Sequence, residues 1–274
     1  MKFRCRMVEV GAMRDLMNIV TVISKIAKSC VLRITTDGIS FNIDDDSVPV
    51  LWAELSQSHF FNEYVMSGVS EEQNEIYLEC ESAMLARSLG SFRSTAKSVK
   101  IKLTNKIQPC LTIEIELSSS SVESRQCMHD VPVRVVPRKE WATYKVPDIP
   151  EFDISVDMPL LKFLRNIVER MRNMSSQLTL EADKTGVFIL RIETESANVS
   201  THFQGLQISI CSQAEDNVMI SATIDIKKFL TFLAWDIVHP NSVKCNIVEN
   251  KIVNLFLDLA GYLKVRYFIP AIVA

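Results

Sequence analysis

Alternation of apolar and polar positions recurs along this chain more often than helical spacing does. Val99, Ile101 and Leu103 share one face, and Leu111, Ile113, Ile115 and Leu117 alternate with Thr112, Glu114 and Glu116. Such a pattern predicts half-buried strands with one wet side. It returns in residues 2–8, in Val253, Leu255, Leu257 and Leu259, and in Leu263, Val265 and Tyr267. Asp37-Gly38 and Thr185-Gly186 supply turn signals between such runs. Four segments instead carry helical spacing. The first covers residues 12–29 and turns Leu16, Ile19, Val20, Ile23, Ile26 and Ala27 to one side. The second covers residues 82–93, with Leu85, Leu89 and Phe92 inward. The third opens at Pro159, a favoured first-turn residue, and buries Leu161, Leu164, Ile167, Val168 and Met171. The fourth starts from Asp225 as N-cap and buries Ile226, Phe229, Leu230 and Leu233.

These elements repeat. The two turn signals are offset by 148 residues, the second helix of each half by 143, and the strands opening Ser98-Val99-Lys100 and Ser242-Val243-Lys244 by 144. Asn105-Lys106 and Asn250-Lys251 mark turns at an offset of 145. Four landmarks at so constant a spacing point to a duplicated unit of strands with two helices, and hence to an α+β chain. The expected domains are residues 1–136 and 151–274. Between them runs a linker, 137–150, with prolines at 137, 147 and 150 and no periodicity.

The length of 274 residues suits two such domains, and 47% apolar with 23% charged residues is the mix of a folded chain rather than a disordered one. No apolar run approaches the roughly 20 residues that span a bilayer, so no membrane partner is expected. Residues 1–6 lack the apolar core of a signal peptide, which gives an intracellular expectation. The seven cysteines agree: they form no C-x-x-C pair, and most lie in strand-like runs where a free thiol acts as a small hydrophobe.

Charge changes the picture. The whole chain carries −3, yet residues 12–29, 82–97, 160–173 and 225–236 carry +2, +3, +3 and 0, net +8, leaving −11 for the rest. Helices with a basic polar face on an otherwise acidic protein suit a surface that meets a polyanion. Lysine and arginine are also good helix formers on any solvated face, so pattern alone leaves both readings open.

Catalytic signatures contribute nothing. Phosphate-binding glycine loops, zinc-protease and nucleophile-elbow motifs are missing, and the four histidines are scattered. No cofactor and no metal are expected, and the protein does not read as an enzyme. Asp44-Asp45-Asp46 reads first as a solvated turn in a loop between strands, and second as a divalent-cation site of a nuclease. His129-Asp130 has no partner nucleophile in sight.

Several segments carry a resemblance. Met1-Lys2-Phe3-Arg4, Phe60-Phe61-Asn62-Glu63, Gly68-Val69-Ser70, Asn74-Glu75-Ile76-Tyr77-Leu78-Glu79, the run 100–106, Pro109-Cys110-Leu111-Thr112, Val136-Pro137-Arg138-Lys139 and Tyr267-Phe268-Ile269-Pro270-Ala271 resemble the Hus subunit of the nine-one-one checkpoint clamp. That family belongs with the sliding clamps of the proliferating-cell-nuclear-antigen type. The likeness runs in order from residue 1 to about 271; residues 44–48 and 207–217 look less typical.

The resemblance implies a DNA-clamp fold and a non-catalytic subunit of a heterotrimeric ring that encircles double-stranded DNA at damage sites in the nucleus, with a cytoplasmic pool compatible. It implies two Rad-type sister clamp subunits, a clamp loader, checkpoint kinase signalling and repair enzymes as clients. The same fold would also allow a homotrimeric replication clamp. In a ring the helices face the hole, which turns Arg14, Lys25, Lys28, Arg87, Arg93, Lys97, Lys162, Arg165, Arg172, Lys227 and Lys228 towards phosphates. Rings close by pairing unpaired strand edges head to tail. The order of elements nominates 127–136, with Cys127, His129, Val131, Val133 and Val135, and 197–203, with Ala197, Val199, Thr201 and Phe203. A client groove beneath the linker would be lined by Trp141, Tyr144, Ile269, Pro270 and Ile272; an equal reading has Trp141 simply pinning the linker to the sheet.

Overall fold

In a computed structural model the described residues are 1–45, 48–90, 96–117, 125–145, 149–211 and 218–272, with the side chains of 44, 45, 48–50 and 211 left out of the description. The chain forms two compact units. Unit 1 is Met1–Asp45, Trp52–Val146 and Gly261–Leu263; unit 2 is Asp46–Leu51, Pro147–Ala260 and Lys264–Ala274.

Unit 1 runs β1 (Lys2–Met7), α1 (Val10–Ile26), β2 (Ser29–Ile34), β3 (Gly38–Asp45), β4 (Val48–Ser56, which belongs to this unit from Trp52 on), α2 (Gln57–Phe60), β5 (Glu63–Ser67), β6 (Ile76–Glu81), α3 (Ser82–Gly90), β7 (Ala96–Asn105), β8 (Pro109–Leu117) and β9 (Arg125–Val135). Unit 2 runs β10 (Ile154–Asp157), α4 (Leu161–Met171), β11 (Gln177–Ala182), β12 (Phe188–Glu193), β13 (Asn198–Phe203), β14 (Ile208–Cys211), β15 (Ile220–Asp225), α5 (Ile226–Leu233), β16 (Ser242–Val248), β17 (Ile252–Leu259) and β18 (Leu263–Pro270). Apart from the single turn α2, which the alternation did not reveal, and a 3-10 turn at Ala234–Val238 after α5, the two element orders coincide over the described residues.

The strand orders correspond as well. Unit 2 holds β13-β12-β11-β15 and β14-β10-β16-β17-β18 as separate sheets. Unit 1 holds the equivalent two sets, but β9 joins them into one order, β4-β3-β2-β6-β9-β8-β7-β1-β5. The join is short. β9 pairs with β8 from Arg125 to Pro132, then hands its last three residues, Val133–Val135, to β6.

Both cores are built from the residues the alternation selects. Phe3, Cys5 and Met7 of β1, Leu16, Ile19, Val20 and Ile23 of α1, Leu85 and Leu89 of α3, and Ile113 and Ile115 of β8 are buried in unit 1. Leu164 and Val168 of α4, Phe229 and Leu233 of α5, and Val253, Leu255 and Leu257 of β17 are buried in unit 2. Burial pushes the thiols of Cys5 and Cys245 well up, so both serve as small apolar fillers. Cys30 and Cys80 face each other across β2 and β6 as free thiols.

Several boundaries differ from the sequence reading. α1 ends at Ile26, with Ala27 already extended, because Ser29 must begin β2. Ile26, Ala27 and Leu230 are only half-buried. α3 is described to Gly90, and Phe92 and Arg93 lie outside the described residues. Asp44 and Asp45 belong to β3 rather than to a loop, and Asp46 lies outside the described residues. Among the described residues no cluster of three or more His, Cys, Asp or Glu comes together, and no helix is long and apolar enough to cross a membrane.

The linker is not irregular throughout. Arg138–Tyr144 forms a 3-10 helix. Trp141 stacks on Tyr77, with ring centroids 4.7 Å apart, and its indole Nε1–H donates to the Val136 carbonyl at 3.0 Å. Tyr77 is anchored in turn, donating to Glu75 Oε2 at 2.7 Å, while Arg33 grips the same carboxylate through Nη2 at 2.6 Å and Nε at 3.2 Å. The Arg33 guanidinium holds the Glu75 carboxyl below its usual range, and burial first, then the bond to Glu75, pushes the Tyr77 hydroxyl up to about 12. Trp141→Ala is expected to cost unit 1 ~2 kcal/mol, the stack and half-buried indole together. Urea unfolding reads that loss, and faster tryptic cleavage after Arg138 and Lys139 reads release of the linker.

Candidate nucleic-acid interface

Each unit packs two helices side by side, α1 with α3 and α4 with α5. Each helix buries one stripe against its own unit and leaves the other polar. Arg14 and Lys25 stand exposed on α1, Arg87 on α3, Lys162, Arg165 and Arg170 on α4, and Lys227 on α5. Arg172 is the exposed C-cap of α4. Lys228 is half-buried.

Position within the helices is informative. Asp225 caps α5, its Oδ1 accepting from the backbone N–H of Lys227 at 2.7 Å and of Lys228 at 3.2 Å. Lys227, Lys228 and, on α4, Lys162 therefore occupy first turns, where the helix dipole disfavours cations by about 0.3–1 kcal/mol. Arg170 and Arg172 sit at the favourable end of α4.

Pairing divides the cations. Arg165 Nε contacts Glu169 at 2.9 Å, Arg87 lies 3.7 Å from Glu81, and Arg14 lies 3.9 Å from Asp15. Lys25, Lys28, Lys162, Arg172 and Lys227 form no ion pair among the described residues. Two candidates are not helical. Lys28 follows α1, where its carbonyl accepts from Ser82 N–H at 2.9 Å and ties the end of α1 to the start of α3. Lys97 is on β7, next to the irregularity between Ala96 and Ser98. Arg93 lies outside the described residues. Arg170 joins the exposed cations of α4 although it is not among the sequence-derived candidates; its angular position opposite the buried Leu164 and Val168 is the signal that marks it.

The strand edges also separate. Among the described residues β13 ends its sheet and pairs with β12 alone, so Val199, Thr201 and Phe203 lie on a strand with one open edge there; Ala197 precedes it. The expectation for 127–136 is corrected in part. β9 has no strand on its second edge only over Arg125–Pro132 among the described residues, because Val133–Val135 pair with β6. Val131 and Val133 are core residues of unit 1, since the inward face of an alternating strand is fixed by packing. Cys127 and His129 are half-buried, with Sγ and Nε2 3.1 Å apart, and Val135 is half-buried. The exposed apolar side chain on this stretch is Met128, at 58%.

The proposed groove lining divides between the units. Trp141 and Tyr144 pack on Val31, Tyr77 and Val136 in unit 1. Ile269 is buried inside unit 2 and cannot line a groove. Pro270 is exposed, and Ile272 is held by its N–H on the Thr223 carbonyl at 2.7 Å.

The architecture is matched by solved structures. The crystal structure of Proliferating Cellular Nuclear Antigen from Entamoeba histolytica superposes with a TM-score of 0.72 over 99% of both chains at 12% identity, which places this chain in the clamp fold class. Sequence then narrows the class. The chain belongs to the Hus1-like protein family, which matches residues 1–273. It is 43% identical to Checkpoint protein HUS1 of Homo sapiens, over 99% of this chain and 100% of that protein. It is 28% identical to Checkpoint protein Hus1-like of Drosophila melanogaster, over 99% of both.

Proposed function

We propose that this chain is a non-catalytic subunit of a heterotrimeric checkpoint clamp that encircles double-stranded DNA at damage junctions in the nucleus. Two Rad-type sister subunits complete the ring, a clamp loader places it on DNA, and checkpoint kinase signalling and repair enzymes use it as a platform. The observation that carries this reading is that exposed cations stand on the polar faces of α1, α4 and α5 in a chain of the Hus1-like family whose net charge is −3. Lysines and arginines on flexible stems give several weak phosphate contacts that ignore base sequence, which a sliding ring requires. The open edges of β13 and of Arg125–Pro132 on β9 are the surfaces through which the neighbours would be met, each edge taking a different partner.

Light scattering of the chain alone and mixed with two sister subunits tests the ring. A particle of 31.1 kDa alone that enters a three-subunit species on mixing is the expected result. A stable particle of three times 31.1 kDa from this chain alone would replace the proposal with a homotrimeric clamp.

A further inference from the structure

A second group of cations lies away from the helices, on the open face of the unit 1 sheet. Phe3, Cys5 and Met7 of β1 and Val99 and Ile101 of β7 are held in the core. Alternation therefore fixes Lys2, Arg4 and Arg6, and Lys100 and Lys102, on the opposite face. The register places Arg4 directly across from Lys102 and Arg6 across from Lys100. Like charges directly opposite on neighbouring strands destabilise a sheet, so this arrangement works against the fold that displays it.

The carboxylates nearby offset only part of this charge. Arg6 contacts Glu63 at 3.4 Å and Lys102 pairs with Glu114. Lys2, Arg4 and Lys100 are exposed and make no ion pair among the described residues. Arg4, Arg6, Lys100 and Lys102, with Glu63 and Glu114, line a shallow depression of about 200 Å³. Val65 of β5, directly opposite Arg4, adds an exposed apolar side chain at its rim.

We infer that this face binds an extended acidic polypeptide segment with carboxylates at alternate positions. The fit is one of spacing and width. Alternate residues of a strand stand about 6.8 Å apart, the same repeat on which an extended peptide carries every second side chain. The cationic strip is two strands wide, with Glu63 on one flank and Glu114 and Glu116 on the other. Those flanking carboxylates repel the second strand of a duplex. Bases of a single strand have no platform either, because Phe3 is buried and Tyr64 turns inward to donate to the Thr35 and Gly38 carbonyls.

The test uses the full chain and a fluorescent peptide alternating Glu with Ser around one central Val, read by anisotropy. Expected are salt-sensitive binding, ~tenfold loss in Arg4→Glu/Lys100→Glu, and no change in Lys251→Glu. Arg4→Gln separates binding from folding: it removes the like-charged pair with Lys102 and no ion pair, and its other cross-strand neighbour is the uncharged Val65, so it should weaken the peptide without lowering the melting temperature. A peptide of the same composition with its Glu residues in one block should bind more weakly. Equal binding of the wild type and the double variant, or equal binding of the two peptides, overturns the inference. Tighter binding of oligothymidylate than of the peptide overturns it in favour of single-stranded nucleic acid.

Discussion

Replacing Lys25, Lys162 and Lys227 together with Glu is expected to lower the affinity of the assembled ring for duplex DNA by ~100-fold or more near physiological salt. These three are exposed, lie on three different helices in both units, and make no ion pair among the described residues. Each phosphate contact contributes about 0.9 to the slope of log affinity against log salt, so the slope should fall by about 2.7. Reversal also places three carboxylates against the polyanion. Anisotropy titrations over a range of salt read both quantities, and light scattering checks that ring assembly persists. Unchanged affinity and slope would remove these helices from the DNA interface; failed assembly would assign them to subunit contacts. Arg165 makes a weaker test, because Glu169 already holds its guanidinium.

The largest effect on stability is expected from Gly38→Ala. A Cβ at Gly38 would lie 1.9 Å from the Leu55 carbonyl oxygen and 3.0 Å from its carbon, and both are backbone atoms with little room to yield. The same position is tied down by hydrogen bonds from Thr35 N–H at 3.0 Å and Tyr64 OH at 2.9 Å to its carbonyl. Relief would need separation of the β2–β3 turn from the end of β4, at a cost on the order of 3 kcal/mol or more. For a unit of this size that lowers the melting temperature by ~10 °C, which differential scanning calorimetry reads directly. A melting temperature within a degree or two of wild type would show that the turn can give way. Gly186 repeats the situation in unit 2, with φ of 87° and a would-be Cβ 2.4 Å from the Leu206 carbonyl oxygen.

Those two glycines separate what the sequence holds from what the fold adds. As turn signals they were legible, and their offset helped reveal the duplication. Strand and helix positions were legible for the same reason: alternation and 3.6-residue spacing are local, and a buried stripe writes them into the chain. The segregation of cations onto helices, and the cap at Asp225, could likewise be read from residue order. The need for glycine at Gly38 was not local, because it comes from Leu55, which only the folded strand brings near. Nor could order alone show that β9 leaves β8 for β6 at Val133, turning part of a supposed edge into core. That the Trp141 ring lies against Tyr77, far from it in the chain, was likewise beyond residue order. Pairing of charges was decided the same way: Arg165 is held by Glu169, while Lys25 and Lys162 make no ion pair among the described residues. Residue order sets which face of each element is apolar and how the elements repeat. Which edges stay open, which cations stay unpaired and where a Cβ cannot fit were decided by contacts between residues distant in the chain, and those exist only once it has folded.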